Sequence, residues 1–177
     1  MKELYIEEIG QDSLLLQIEQ LMTDYGQGVL ELVYSYVKNR VVAEDLTQEF
    51  FIKCYKSLAS FHGEANIKTW LWRIAINHCK DYLRSWHYRN LEMMETEEII
   101  IDSISVEQIV VEKDEREILL NKVLQLPVKY RELIYFYYYE DLTIKEIEQI
   151  TRINSNTIKS RMRRAKKLLK ELLQEEQ

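Results

Sequence analysis

A chain of 177 residues, 46% hydrophobic and 31% charged, has the composition of a soluble globular protein of one or two small domains. One Pro and four Gly leave few helix breakers, which favours an all-α fold, and no apolar run approaches a membrane span. A net charge of −6 argues against nucleic acid as a partner, but ten acidic and only two basic residues fall within 91–117, while 118–177 hold twelve basic and eight acidic. A local basic face matters more for DNA than the sum does.

The opening MKELYIEEIG lacks a signal-peptide core, so the expected location is the cytoplasm. Residues 1–13 are polar and mixed and read as a poorly fixed lead-in. From Leu14 to Val37 apolar residues recur at three and four, with Gly26 and Gly28 placed to divide the run into two helices and Asn39 as a stop. A second helix over 42–58 sets Leu46, Phe50, Cys54 and Leu58 on one face. Glu44, Asp45, Gln48 and Glu49 point outward, and a solvated acidic face suffices to explain them.

Residues 62–66 read as a loop and 68–86 as a helix whose core side is Leu71, Ile74, Ala75, Cys79, Tyr82 and Leu83. Trp70, Asn77, Asp81 and Arg84 share another flank. A ring that stacks, an amide that bonds a base edge and a cation for phosphate suit unstacked bases. The plainer alternative has Trp70 and Trp72 anchoring a small core. Cys54 and Cys79 lack CxxC spacing and read as buried free thiols. His62, His78 and His87 make no metal-ligand pattern with them, so neither metal nor cofactor is expected.

Beyond Asn90 the chain turns acidic and aperiodic, as a linker does, until a helix over 106–124 opens a second domain. Leu126–Pro127 ends it, with Pro127 suited to the first position of the next helix. Leu133, Phe136 and Tyr137 are expected to pack against the C-terminal helices, and the surrounding tyrosines read as packing rather than a stacking platform.

Those helices lie within 142–170. Thr143 with Glu146 forms a capping box, and Ile144, Ile147 and Ile150 recur at helical spacing. Residues 151–154 break the pattern, and Asn154 or Ser155 caps a second helix with Ile158, Met162, Ala165, Leu169 and Leu172 in one stripe. Its other side holds Asn156, Ser160, Arg163, Arg164 and Lys167, and residues 152–170 carry eight basic residues and no acidic one. Two short helices, the second basic outside, suit a helix-turn-helix in a major groove. A solvated face, a partner helix and a membrane-surface helix are the alternatives.

Taken together these segments resemble the extracytoplasmic-function (ECF) sigma factors of bacterial RNA polymerase. Residues 43–51, AEDLTQEFF, resemble the core-binding segment of region 2. Residues 61–84, with Thr69–Trp70–Leu71, Arg73–Ile74–Ala75, Asn77 and Asp81–Tyr82–Leu83–Arg84, resemble the segment that melts and reads the −10 element. Leu126–Pro127, Tyr130–Arg131, Glu146–Ile147, residues 156–161 and Arg164–Ala165 resemble region 4. The resemblance implies two small helical domains, 1–90 and 113–177, joined by an acidic linker at 91–112. It implies that Glu44, Asp45, Gln48 and Glu49 meet the clamp coiled coil of core polymerase, with the flap as a further contact. Phe61, Trp70, Arg73, Asn77, Asp81 and Arg84 would serve the −10 element, Phe61 and Asn77 holding a flipped base. Asn156, Thr157, Lys159, Ser160, Arg163, Arg164 and Lys167 would serve the −35 duplex, with Lys166 and Lys167 toward phosphates. It also implies an anti-sigma factor, often membrane-anchored.

Three positions depart from the family's habit: Glu148 stands where Ala is usual, and Arg152 and Asn156 where Gly is usual. No Gly-rich phosphate loop or catalytic set is present, so no enzyme and no small-molecule substrate are expected. The rivals are a helix-turn-helix repressor or activator acting without polymerase, and a helical adaptor with no DNA role.

Overall fold

A computed structural model of the protein describes residues 2–61, 66–94 and 115–174, with side chains for 13–61, 66–85 and 118–174. Every regular element among the described residues is helical: α1 Lys2–Val37, α2 Arg40–Leu58, α3 Ile67–Met94, α4 Glu115–Gln125, α5 Val128–Ile134, a π-helical turn Tyr135–Tyr139, α6 Ile144–Thr151 and α7 Ser155–Gln174. The expected all-α, two-unit architecture holds. The linker at 91–112 is helical through Met94; the rest of it, the loop at 62–65 and the expected helical start over 106–114 lie outside the described residues.

The first unit packs α1, α2 and α3 around Val29, Leu32, Val33, Phe50, Cys54, Leu71 and Cys79, all fully buried. Burying a Leu or Phe this completely stabilises by about 1.5–3 kcal/mol. The junction of α1 and α2 is two residues long. Lys38 there is left-handed (φ 55°) and its N–H closes on Tyr34 O at 2.9 Å. Asn39 then caps α2, its Oδ1 accepting from Val42 N at 3.1 Å. The second unit packs α5, α6 and α7 around Leu133, Phe136, Ile147, Ile158 and Ala165.

Several expectations are corrected. Helix α1 starts at Lys2, taking in the expected lead-in, and runs unbroken past Gly26 and Gly28. Glycine inside a helix costs only about 1 kcal/mol, which packing overrides. Gly28 is a notch: a Cβ there would lie 2.8 Å from Glu140 Oε1, 3.1 Å from Tyr135 Oη and 3.3 Å from Trp72 Cη2. Pro127 sits at the N-cap of α5 instead of its first turn. Tyr137 points outward, because the π turn (Glu140 N to Tyr135 O, 3.2 Å) re-phases the aromatic run after Phe136.

The two units are docked on one another. Trp72 is fully buried, edge-on to Tyr135 and Phe136 with centroids 6.0 and 5.5 Å away. The Tyr135 hydroxyl donates to Gly28 O, and the Glu140 carboxylate beside it also reaches Lys68 Nζ at 3.4 Å. Burial and the Glu140 charge together push the Tyr135 hydroxyl well above its ordinary pKa. On the far side the Tyr36 hydroxyl donates to buried Glu132 at 2.5 Å, with Lys80 Nζ 3.3 Å from the same oxygen. Arg131 next to it is 4% exposed, and its Nε and Nη1 are buried with no hydrogen-bond partner.

Candidate nucleic-acid interface

The local chemistry of the helix-turn-helix is as the capping pattern predicts. Thr143 Oγ1 accepts from Glu146 N at 3.3 Å and Glu146 Oε2 accepts from Thr143 N at 2.8 Å. The Thr143 hydroxyl and backbone hydrogen bonds hold the Glu146 carboxyl below its usual range. After Thr151 the chain turns through Arg152 at φ 58°, ψ 24°, a left-handed conformation that favours glycine. Asn154 caps α7, its Oδ1 accepting from Thr157 N at 2.9 Å.

Helix α7 buries Ile158, Met162 and Ala165 against α5 and α6, with Leu169 and Leu172 half-buried beyond them. That leaves Asn156, Lys159, Ser160, Arg163, Arg164 and Lys167 exposed, while Thr157 is half-buried. The Ser160 hydroxyl donates to Thr157 O at 2.9 Å, so toward a ligand it is free chiefly to accept. Lys167 lies 3.8 Å from Glu171, an exposed pair of small energetic weight that leaves it available to phosphate. Lys166 sits over the Tyr138 ring at 5.5 Å. Guanidinium and amide groups on one exposed helical face can bond base edges, and the lysines can neutralise phosphate.

The six residues expected at −10 divide three ways. Phe61 and Trp70 are together, half-buried, with centroids 5.1 Å apart. Asn77, Asp81 and Arg84 are exposed along one edge of α3, the last two 3.7 Å apart. Seven residues separate Trp70 from Asn77, about 10 Å along the axis. Arg73 is turned away from that edge: its Nε donates to Gln149 O of α6 at 2.8 Å. Of Trp70 and Trp72, Trp72 is core and Trp70 is the one left half-buried at the surface.

On α2, Glu44, Asp45, Gln48 and Glu49 are all exposed, with Arg40 Nε 2.6 Å from Glu44. Asp45 and Glu49 border a cleft of about 530 Å³ between α2 and α3, whose wall also holds Lys53, His78, Asp81 and Tyr82. His78 is 5% exposed, bonded through Nε2 to Leu46 O at 3.1 Å and through Nδ1 to Lys53 Nζ at 2.7 Å. Burial and then the Lys53 charge lower its pKa, so the ring is neutral: it donates from Nε2 and accepts at Nδ1. Sequence periodicity held no sign of this Lys53–His78 pair, or of Lys68 and Trp72 at the junction.

Comparisons with known proteins agree with this layout. The family described as Sigma-70 region 2 matches residues 21–87, and that described as Sigma-70, region 4 matches residues 116–169. The chain is 32% identical over 160 residues to the ECF RNA polymerase sigma factor SigW of Bacillus subtilis, covering 85% of this chain and 86% of the relative. It is 34% identical over 149 residues to RNA polymerase sigma factor SigV of the same organism (84% and 86%). It is 30% identical over 158 residues to the ECF RNA polymerase sigma-E factor of Escherichia coli (84% and 82%). Among solved structures, the sigma factor RpoE in complex with the anti-sigma factor NepR from Bartonella quintana has a TM-score of 0.71 at 23% identity, covering 89% of this chain and 97% of that one. CnrH in complex with the cytosolic domain of CnrY has a TM-score of 0.64 at 18% identity, covering 90% and 89%. Both share the fold.

Proposed function

The chain belongs to the ECF sigma factors of RNA polymerase, and we propose that its exposed side chains divide promoter recognition between the two helical units. It directs promoter-specific transcription initiation, and the presence of region 2 beside region 4 distinguishes it from a free-standing helix-turn-helix regulator. In this assignment residues 1–90 bind core polymerase and open the −10 element, 91–112 link, and 113–177 read −35. The matches at 21–87 and 116–169 fall inside those outer bounds.

Glu44, Asp45, Gln48 and Glu49 dock on the clamp coiled coil of core polymerase, and the second unit meets the flap. Asn156, Thr157, Lys159, Ser160, Arg163 and Arg164 meet the −35 duplex, with Lys166 and Lys167 on phosphates. A base pulled from the −10 element stacks at the Phe61–Trp70 pair and bonds Asn77, with Asp81 and Arg84 along the strand, while Arg73, expected beside them, is held by Gln149 of α6. Two reading units on one chain make each contact raise the local concentration of the other. The observation that carries this is the row of uncovered polar side chains on α7 together with Asn77 and the Phe61–Trp70 pair on α3. The factor supplies an address and is not itself an enzyme, and it requires no cofactor. An anti-sigma factor, membrane-anchored on its other side, is the regulatory partner; the sigma factor RpoE, which shares the fold, is solved in complex with the anti-sigma factor NepR. No helix among the described residues is long and apolar enough to cross a membrane, which suits a cytoplasmic factor.

The test is gel filtration with core RNA polymerase, then permanganate footprinting on a candidate promoter. Co-elution and reactive thymines at −10 are expected. Neither being seen would remove the assignment.

A further inference from the structure

The turn of the helix-turn-helix is fastened by a residue that the base-reading scheme does not use. Glu148, half-buried on α6, reaches across to the first residue of α7: one carboxylate oxygen accepts from Ser155 N at 3.1 Å and the other from the Ser155 hydroxyl. Asn154 takes Thr157 N, so two backbone N–H groups in the first turn of α7 are already bonded within the protein. The remaining turn is tied as well: Arg152 N donates to Glu148 O at 2.9 Å, and Ile153 N lies 3.3 Å from Thr151 Oγ1.

A helix N-terminus carries partial positive charge and free N–H groups, which makes it a seat for an anion. In a helix-turn-helix that end of the recognition helix points into the groove, between two rows of phosphates. The anion nearest at hand would then be a DNA phosphate, and a phosphate contact adds affinity for every sequence alike. In this chain the seat is filled by the protein's own carboxylate.

We propose that Glu148 is a specificity-determining positioning residue: its carboxylate occupies the N-terminus of α7 in place of a DNA phosphate, leaving recognition to the side chains of α7. This rests on the −35 role of α7. The strap also sets the path of the turn, where Arg152 adopts the left-handed conformation without being glycine.

The test compares the full chain with Glu148→Gln and Glu148→Ala, each assembled with core polymerase, on a duplex library randomised through the upstream element and at several salt concentrations. The amide of Gln keeps an acceptor for Ser155 N while the charge is gone. Glu148→Gln is expected to bind scrambled duplex roughly two- to fivefold more tightly, with a smaller gain on the enriched sequences. Its slope of log affinity against log salt should steepen by about one phosphate, and its enriched motif should carry less information. Glu148→Ala should show the same steeper slope together with a lower melting temperature. Wild-type slope and motif in both variants would overturn the proposal and leave Glu148 as a helix cap only. Equal loss on all sequences would overturn it too. A wild-type complex that enriches no sequence at all would instead overturn the −35 role, and the proposal with it.

Discussion

The Tyr135 hydroxyl donates to the carbonyl oxygen of Gly28 at 2.7 Å, where a Cβ on residue 28 would lie 3.1 Å from that hydroxyl. It joins the first unit to the second next to buried Trp72. Gly28→Leu keeps a good helix former in α1 but cannot fit this junction. The variant should undock the units, seen as a larger radius of gyration by X-ray scattering and a red-shifted tryptophan emission. Unchanged scattering would mean that the contact does not hold the units together.

Arg164 is exposed on the outer face of α7. If it reads a base edge, Arg164→Ala weakens −35-dependent binding by about 1–3 kcal/mol while scrambled DNA is bound as before. Equal loss on both would make it a phosphate contact.

Asn77 is exposed on α3 with no structural burden to carry. Asn77→Ala should leave duplex binding intact and reduce permanganate reactivity at −10. Wild-type opening in that variant rules out the amide as a base contact.

Arg131 holds two buried, unpaired donors and lies close enough to Lys38 that the two cations repel. An unsatisfied buried donor costs about 1–3 kcal/mol, so Arg131→Met should raise the urea midpoint. A lower midpoint would show that the guanidinium is stabilising after all.

Cys54 and Cys79 are fully buried, and burial pushes both thiols up to about 12. In the unfolded chain a thiol ionises near 8.5, so above that pH the unfolded state loses protons the folded state keeps. Their contribution is complete below about pH 8.5 and is lost as pH rises toward 12, by up to about 1.4 kcal/mol per pH unit for each thiol. Melting curves between pH 8 and 10 should show this decline, and the Cys54→Ala, Cys79→Ala double variant should flatten it. An equally steep decline without the thiols sinks the attribution.

What the sequence revealed was what neighbouring residues decide among themselves. The Thr143–Glu146 box, the Asn154 cap and the outward face of α7 each depend on spacings of two to four residues. Trp70 and Trp72 are two residues apart, and it is distant partners, Tyr25 on α1 and Tyr135 and Phe136 of the second unit, that make Trp72 the covered one. Gly28 read as a break because a glycine that ends a helix and one that admits a neighbouring side chain look alike in a string. Arg73 sits within the stretch that resembles the −10 reader, yet it bonds Gln149, a partner 76 residues away that no local pattern announces. The exposed polar face of α7 was legible; the hold of the second unit on α3 was not.

The π-helical turn at Tyr135–Tyr139 amounts to one surplus residue in an otherwise regular run. Deleting a single tyrosine there would let the turn relax to ordinary α-helix and change where Glu140 and the loop into α6 leave it. Chain length at this point is therefore as constrained as residue identity, and homologues that align here with a gap should hold the helix-turn-helix at a different angle to Trp72.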